Sequence, residues 1–467
     1  MKKAKCSLHK LSVWLCALLV SVGAFFPLGE RASAAAAEAP AGVCQLQDFM
    51  DMPPAPQLHS EYAVLYECKS KTVLYSKFAY AKAEPASITK VMTALLTAEK
   101  CDMAETVTFS YNATHSIEPG SSSIARTEGE QMSVLDCLYG MLLASANEVA
   151  QGLGEHISGN LTTFAALMNQ RARQLGAVNT HFVNPHGLYA PEHYTCCYDM
   201  ALFMTEAMEH QTLTEVMGTE RYTIGPTNKH KENTYVRMYH PLLTDEYGLR
   251  YSSAVAGKTG YTESALYTLV SYAVKDDMEL VCVVMKADSR EECGEDSVAL
   301  FNYGFDNFTR YQLSDAAMDG SKDDNPLSSD LLGLECLKNG YVTLPDSVSP
   351  AQLESELRYS QDLKDGVLAT RYFYYRGNLV AEVPLSITGR EPLVDPEGTE
   401  SRPLSSRDRL RAKVLGVPLI YWIVILIGAA ACGLLLLAAL LLIRLVLRRR
   451  RERERRRRSL NRETRGR

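Results

Sequence analysis

The sequence lacks three features that would each indicate a particular class of protein. It has no internal repeat, which excludes a solenoid or a propeller. Its 12 cysteines are irregularly spaced, and an odd number remains once Cys6, Cys16 and Cys432 are set aside with the apolar terminal segments. This is not a disulfide framework, and 467 residues are enough to bury a core without one. Individual pairings stay open.

The histidines and cysteines between residues 181 and 197 also lack a metal-binding pattern. Zinc ligands recur in sequences as pairs at short, fixed separations. No such spacing occurs among these five residues, which are His181, His186, His193, Cys196 and Cys197. Neither a metal ion nor another cofactor is therefore expected.

Charged residues are absent from an apolar stretch near the N-terminus. Lys2, Lys3 and Lys5 precede this stretch, which runs from 11 to 28, and small residues follow it at 32–34. This order is typical of a secretory signal peptide, so residues 1–34 are expected to be removed on export. A retained membrane anchor is the alternative.

A second uncharged stretch, at 414–443, is long enough to cross a bilayer. The tail at 444–467 holds 13 Arg and 3 Glu, a net of +10, so the preceding residues sum to −16 within the total of −6. Arginine beside a spanning helix marks the cytoplasmic side, and it can also bind anionic lipids. Nucleic-acid binding is the other common role of a basic tail, but the adjacent helix already accounts for it. We expect a single-pass protein of the cell membrane, with its globular part on the extracytoplasmic side.

Between these ends, the pattern of predicted secondary structure changes near residue 313. Before it, the patterns predict two strands over 62–80, "YAVLYE" and "KTVLYS", helices over 86–96 and 133–176, the strands "ALYTLVSYAV" and "ELVCVVMKA", and a helix near 294–303. Strands first, helices in the middle, and strands with a helix last favour an α/β (α+β) domain over 45–312, whose helical insert rests on an antiparallel sheet.

The residues after 313 predict a smaller unit. Alternating stretches around "YRGN", a plausible hairpin turn, favour a small antiparallel β domain over 313–390. Proline, serine and charge dominate 391–412, which is interpreted as a linker to the membrane.

Three short patterns carry the chemistry: Ser-Ile-Thr-Lys at 87–90, Ser-Ala-Asn at 145–147 and Lys-Thr-Gly at 258–260. Alone, each has an ordinary explanation, respectively a polar helix start, satisfaction of buried backbone, and a turn into the strand "ALYTLV". Together, in this order, they form the signature of serine acylases. The combination therefore favours acyl transfer.

The proposed chemistry assigns a role to each residue. Ser87 needs a base, and Lys90, three residues on along a helix, can reach it if its ammonium is destabilised. Lys258 is expected to supply the destabilising charge and to attract a substrate carboxylate. Ser145 would relay a proton and Asn147 would hold a substrate amide.

An oxyanion formed during acyl transfer needs hydrogen-bond donors. The backbone N–H groups of Ser87 and of Tyr261, which directly follows Thr259 and Gly260, are the candidates.

The sequence resembles the low-molecular-mass penicillin-binding proteins and, more narrowly, the serine-type D-alanyl-D-alanine carboxypeptidases of peptidase family S11. Four segments carry the resemblance: "EPASITKVMTALLTAEK", "SSSIARTEGEQMSVLDCLYGMLLASANEVA", "LMNQRARQLGAVNTHFVNPHGLY" and "GKTGYTESALYTLVSYA". It implies a transpeptidase/β-lactamase-like fold and an acyl-enzyme on Ser87. It also implies removal of the terminal D-Ala from peptidoglycan stem pentapeptides, and acylation of the same serine by β-lactams.

The chain departs from this family at three positions. Leu266 stands where a glycine is usual, and Glu148 where an aspartate follows Ser-x-Asn. Cys293 falls at the position of the arginine that binds the substrate carboxylate, and the nearest candidate to replace it is Arg290. A D,D-endopeptidase, or a catalytically weakened peptidoglycan-binding scaffold, is therefore the alternative function. A β-lactamase is disfavoured because no deacylating glutamate is recognisable.

Overall fold

The computed structural model describes residues 45–48, 50–313, 340–359 and 367–386. The predicted signal peptide, linker, transmembrane helix and basic tail, at 1–34, 391–412, 414–443 and 444–467, lie outside the described residues. Within the described ranges, no helix combines the length and apolar character needed to cross a bilayer.

A five-stranded antiparallel sheet forms the centre of the structure, in the order β2-β1-β9-β8-β7. Its strands are β1 Tyr62–Glu67, β2 Thr72–Lys77, β7 Ala254–Thr262, β8 Leu266–Lys275 and β9 Met278–Ala287. Strand β1 is buried on both faces. Because successive side chains point to opposite faces, Val64 packs into one apolar core and Leu65 into the other.

The first core lies between the sheet and the helical insert. The helices before β7 are α1 Lys90–Lys100, α2 Tyr111–His115, α3 Val134–Leu143, α4 Asn147–Ser158, α5 Leu161–Gln174, α6 Cys197–Met208 and α7 Gln211–Gly218. The insert also contains two short two-stranded sheets. In one, β3 Thr106–Thr108 pairs with β4 Gln131–Ser133, and in the other, β5 Arg221–Ile224 pairs with β6 Thr234–Arg237. The predicted helical insert on an antiparallel sheet is thus confirmed.

The second core lies on the opposite face and contains α8 Arg290–Asn307 together with the C-terminal strands. Strand β10 Phe308–Gln312 pairs with β11 Tyr341–Pro345, and β12 Glu354–Tyr359, β13 Val367–Tyr375 and β14 Asn378–Ser386 form a separate sheet. The predicted "YRGN" turn is confirmed, since Arg376 and Gly377 both have the positive φ of a tight hairpin turn.

Three sequence-based interpretations need correction. Lys-Thr-Gly at 258–260 does not lead into the strand "ALYTLV" but lies within a strand of its own, β7, which pairs with β8. The last helix runs from 290 to 307, because a capping box between Ser289 and Glu292 starts it earlier than expected. The helical region over 133–176 breaks at Ser145, whose φ of 60° is left-handed.

Candidate active site

Ser87 lies in a single 3-10 turn, Ala86–Thr89, which leads directly into α1. Ala86 has a φ of 51°, so the backbone enters this turn in a left-handed conformation. The turn is packed against Gly187, where a Cβ atom would lie only 1.8 Å from the carbonyl oxygen of Ala86. The loop "NPHGL" can therefore lie this close to the turn only with glycine at position 187, and the contact fixes the position of Ser87.

Lys90 is fully buried beneath Ser87. Its Nζ lies 2.9 Å from Ser87 Oγ, 2.7 Å from Asn147 Oδ1 and 2.9 Å from the carbonyl oxygen of His186. Burial, followed by the charge of Lys258, holds the pKa of Lys90 well below its usual value of 10.5.

The three partners of Lys90 fit either protonation state of its amine, and the lowered pKa favours the neutral one. An amide oxygen and a backbone carbonyl accept hydrogen bonds and cannot donate them, so Asn147 and His186 each take one N–H. A neutral amine then has its lone pair left for the hydroxyl of Ser87. The predicted pairing of Ser87 with a destabilised lysine is present in the geometry.

Two histidines of the 181–197 segment support this site through hydrogen bonds. His193 Nε2 lies 2.9 Å from Thr89 Oγ1, and its Nδ1 accepts from the N–H of Val183. His186 Nδ1 accepts from the N–H of Leu188. Burial lowers the pKa of His193 to about 3 and that of His186 well below 6.5, so both rings are neutral and serve to hold the loop.

Ser145 and Asn147 occupy the sharp connection between α3 and α4. The left-handed backbone at Ser145 ends α3, and Asn147 begins α4 with its side chain buried against Lys90. Ser145 Oγ lies 3.3 Å from Lys258 Nζ. The two residues thus contact different lysines, one on each side of the site.

Lys258 projects from the edge strand β7, and its side chain is almost completely buried. Besides Ser145, it donates to the carbonyl oxygen of Thr259 at 2.7 Å. Burial, followed by the nearby guanidinium of Arg290, lowers the pKa of Lys258 from 10.5 to about 7. Its charge therefore changes close to neutral pH.

Gly260 brings β7 against the turn that holds Ser87. A Cβ atom at this position would lie 2.4 Å from Thr268 Oγ1 and 2.9 Å from the backbone nitrogen of Ser87. Thr268 Oγ1 in turn donates to the carbonyl oxygen of Pro85 at 2.9 Å. Tyr261 follows on the same strand, with a half-exposed side chain whose ring packs on that of Tyr267 at 4.6 Å. The two candidate oxyanion donors, at 87 and 261, thus flank this close contact.

Arg290, the first residue of α8, lies among tyrosines. Its Nη1 donates to the hydroxyl of Tyr247 at 2.8 Å, and the guanidinium is 5.8 to 6.0 Å from the ring centroids of Tyr239, Tyr247 and Tyr267. Its Nε is buried without a hydrogen-bond partner. Cys293, one turn further along α8, is 1% exposed and packs into the second core, so its thiol cannot replace an arginine.

The other two departures from the family pattern have local physical explanations. Leu266 has a φ of 55° where β8 begins, a conformation that glycine adopts at little cost. Glu148 is buried, and its Oε1 accepts from the hydroxyl of Ser123 and from the N–H of Ile124. The longer carboxylate thus anchors the segment that precedes β4.

The structure therefore brings Ser87, Lys90 and Asn147 into direct contact, and Ser145 with Lys258, while Arg290 affects Lys258 through its charge. Sequence reasoning missed the carbonyl of His186, the glycine at 187 and Thr268. Only "NPHGL" carried a signal, through its part in the family resemblance. The roles predicted for the site residues remain predictions.

The fold and this arrangement define the class of protein. The structure resembles that of penicillin binding protein 5 from Haemophilus influenzae with a TM-score of 0.57 and 24% identity, covering 72% of this chain and 98% of that one. At this identity the likeness establishes the fold alone: a penicillin-binding-protein transpeptidase domain with an antiparallel sheet.

The family follows from the sequence comparison. The model of the D-alanyl-D-alanine carboxypeptidases, peptidase S11, matches residues 49–289, which is more than half of the chain. The chain belongs to this family, and the resemblance inferred from the motifs is confirmed.

Two named relatives show the extent of the match. The D-alanyl-D-alanine carboxypeptidase DacF of Bacillus subtilis is 34% identical over 258 residues, which are 54% of this chain. DacC of Escherichia coli, also a D-alanyl-D-alanine carboxypeptidase, is 33% identical over 262 residues, again 54% of this chain. The chain spans 63% and 62% of the length of these two relatives.

Proposed function

We propose that this protein is a serine-type D-alanyl-D-alanine carboxypeptidase that removes the terminal D-Ala from peptidoglycan stem pentapeptides. The observation that carries the proposal is the buried amine of Lys90, which lies 2.9 Å from Ser87 Oγ and is also held by the Asn147 side-chain oxygen and the His186 carbonyl. Family membership and the names of the relatives support the same reaction.

In the acylation step, Lys90 takes the proton of Ser87 as Oγ attacks the carbonyl carbon of the penultimate D-Ala. The tetrahedral oxyanion accepts hydrogen bonds from the backbone N–H groups of Ser87 and Tyr261. Breakage of the peptide bond leaves an ester on Ser87. Ser145, in contact with Lys258, gives its proton to the departing amine of D-Ala and takes in exchange the proton held on Lys90, so that Lys90 is neutral again when acylation ends.

In the deacylation step, water replaces the released D-Ala. Lys90 accepts a proton from this water as its oxygen attacks the ester carbonyl, and the proton returns to Ser87 Oγ as the C–O bond breaks. The products are a tetrapeptide stem, free D-Ala and the original hydroxyl. A β-lactam acylates Ser87 by the same first step, with opening of its ring.

The terminal carboxylate of the substrate is held by positive charge beside β7. Lys258 supplies the nearer charge and Arg290 the second, because Arg290 is close enough to lower the pKa of Lys258. A bound carboxylate favours the protonated form of Lys258, so binding itself restores its charge. Thr259, Gly260 and Asn147 line the remaining path of the peptide.

One pair of assays tests this function. The full chain is incubated with a fluorescent penicillin and with a D-Ala-D-Ala pentapeptide, beside Ser87→Ala and the control Ser121→Ala at a half-buried serine. Wild type and Ser121→Ala should be labelled by the penicillin and should release D-Ala from the pentapeptide, whereas Ser87→Ala should do neither. Labelling that persists in Ser87→Ala would overturn the assignment of the nucleophile.

The same assays, with crosslinked peptide dimers added as a third substrate, separate the alternatives. Labelling without D-Ala release, but with cleavage of crosslinked dimers, would identify a D,D-endopeptidase. Binding of stem peptides with neither labelling nor release would identify a peptidoglycan-binding scaffold.

We further propose that the protein is exported through residues 1–34 and anchored by a helix at 414–443. The catalytic domain would then lie outside the cytoplasm, and the basic tail could bind anionic lipids on the inner side. The support is the uncharged stretch and the tail of +10. Protease added to intact cells should degrade the catalytic domain and spare a C-terminal epitope; loss of both, or protection of both, would contradict this topology.

A further inference from the structure

A second group of reactive side chains lies at the opposite end of the two helices that begin in the active site. Helix α1 begins at Lys90 and ends before Cys101, while α4 begins at Asn147 and carries His156 in its last turn. At 1.5 Å per residue, Cys101 lies about 16 Å from Lys90 along α1. The group is therefore separate from the active site.

Glu105 completes the group from the loop between α1 and β3. One ligand atom from each of Cys101, Glu105 and His156 lies within 4.8 Å of the other two. Sequence spacing could not reveal this group, because His156 stands far along the chain from the other two residues. Among the described residues, this is the group of metal-ligating side chains that converges in this way.

The loop holds Glu105 in a fixed position. Its Oε1 accepts from the N–H of Asp102 at 2.7 Å, and its Oε2 lies 3.0 Å from His156 Nε2. The backbone carbonyl of Glu105 also accepts from the N–H of Val134 at the start of α3. A carboxylate whose second oxygen is already held by a backbone N–H is oriented in the way that outer-shell contacts orient metal ligands.

We propose that Cys101, Glu105 and His156 bind one Zn²⁺ ion, with water as the fourth ligand. Sulfur, nitrogen and a single carboxylate oxygen suit zinc, whereas calcium and magnesium prefer all-oxygen sites. Ligand atoms of a tetrahedral zinc site lie about 3.5 Å apart, so atoms that lie within 4.8 Å of one another need to close by at most about 1 Å, while the Glu105–His156 pair, at 3.0 Å, opens slightly. The side chains of Glu105 and His156 are 45% and 24% exposed, so an ion and its water can reach them.

Binding changes the protonation of the group. The thiol of Cys101 releases its proton to solvent, the S–Zn bond forms, and a ring nitrogen of His156 gives its lone pair to the ion in place of the contact with Glu105. Because burial raises the pKa of Cys101 to about 11, the thiol holds its proton at neutral pH until the metal displaces it. The ion ties the ends of α1 and α4 to the loop before β3.

Cobalt provides the direct test, because Co²⁺ replaces Zn²⁺ and its bond to a thiolate gives a charge-transfer band in the near ultraviolet. The purified full chain, freed of metal by a chelator, is titrated with Co²⁺ and then with Zn²⁺ in competition. Cys101→Ser and His156→Gln remove one ligand each, and His115→Gln removes an exposed imidazole from α2 as the matched control. Circular dichroism checks that each variant is folded.

Wild type and His115→Gln should bind one Co²⁺ per chain with the thiolate band, and Zn²⁺ should remove the band and raise the midpoint of thermal unfolding. Cys101→Ser should lose the band, and His156→Gln should bind at least about tenfold more weakly. An unchanged band in Cys101→Ser would assign the thiolate to another cysteine and overturn the proposal. Absence of the band from wild type, or equal affinity in a folded His156→Gln, would also overturn it.

Discussion

The amine of Lys90 lies 2.9 Å from the hydroxyl oxygen of Ser87, in a position where the protein surrounds it with acceptors and neighbouring positive charge but gives it no directly bonded carboxylate among the described residues. A lysine paired with a carboxylate would keep its proton. Here, burial and Lys258 both favour the neutral amine. This environment supports the proposed abstraction of the proton of Ser87 by Lys90.

Replacement of this amine should strongly slow acylation while leaving the fold in place. Methionine at position 90 has a similar length but no basic nitrogen, so Lys90→Met should slow acylation by a fluorescent penicillin by about three orders of magnitude. The measurement is the second-order rate constant, beside Lys100→Met on the exposed end of the same helix as control. A Lys90→Met variant that labels at the control's rate would show that another group takes the proton.

Removal of the charge of Arg290 should shift the pH dependence of the reaction. Arg290 lowers the pKa of Lys258, which is about 7, so Arg290→Gln should raise that pKa. The protonated form of Lys258 then persists to higher pH. The fall in kcat/KM for the pentapeptide on the basic side should accordingly move to higher pH, while the loss of a carboxylate-binding charge raises KM.

Arg290→Lys tests the role of charge directly, because it keeps the charge and should leave the basic limb near that of wild type. Arg221→Gln, on an exposed position of β5, should change neither parameter. If Arg290→Gln leaves both KM and the basic limb unchanged, Arg290 serves only to pack the surrounding tyrosines.

Much of the fold was readable from local patterns. The pattern of β-branched and aromatic residues predicted the bounds of β1, β2, β8 and β9 to within about a residue, because each strand buries apolar side chains at a recognisable spacing. Strand β7 carries no such signal, since "AVAGKTGYT" is rich in small and polar residues that occur there for the site. It is a strand because β8 pairs with it, a contact that no local pattern expresses.

The candidate site was likewise readable only in part. The three motifs gave Ser87, Lys90, Ser145, Asn147 and Lys258, because their residue types are the reactive ones. The carbonyl of His186 was not predictable, since a backbone oxygen has no sequence signature. The left-handed φ at Leu266 and the burial of Cys293 also depend on tertiary structure. They show that position 266 is a matter of backbone conformation and that the thiol at 293 faces the core.

Any side chain at position 260 should displace the turn that carries Ser87. In Gly260→Ala the new Cβ atom would lie 2.4 Å from Thr268 Oγ1 and 2.9 Å from the nitrogen of Ser87, so β7 or the turn must move. We expect slower acylation and a loss of about 1–3 kcal/mol in the free energy of unfolding. Gly225→Ala, with no atom within 4 Å of the new Cβ, is the matched control. Equal acylation rates in the two variants would show that the close contact is not needed for the oxyanion site.

Leu266 provides a test of strain against packing at the start of β8. At its φ of 55°, a residue with a side chain is less stable than glycine by roughly 1–2 kcal/mol. Glycine, however, loses more conformational entropy on folding, which offsets about 0.5–1 kcal/mol of that gain. Leu266→Gly should therefore be neutral or stabilising by up to about 1.5 kcal/mol. Leu269→Gly, fully buried in the same strand, should lose several times that amount, about 3–5 kcal/mol. Urea denaturation followed by circular dichroism measures both variants.

The same variant tests whether Leu266 narrows the cleft. If its side chain restricts the substrate, Leu266→Gly should lower KM for the pentapeptide, whereas Leu266→Ala, which keeps a Cβ atom at positive φ, should be less stable than the glycine variant. A Leu266→Gly variant as unstable as Leu269→Gly would show that packing of the leucine outweighs the backbone strain. If KM is unchanged in a stable Leu266→Gly variant, the leucine side chain does not restrict the substrate. The glycine usual in the family at this position would then serve the backbone conformation and not access to the cleft.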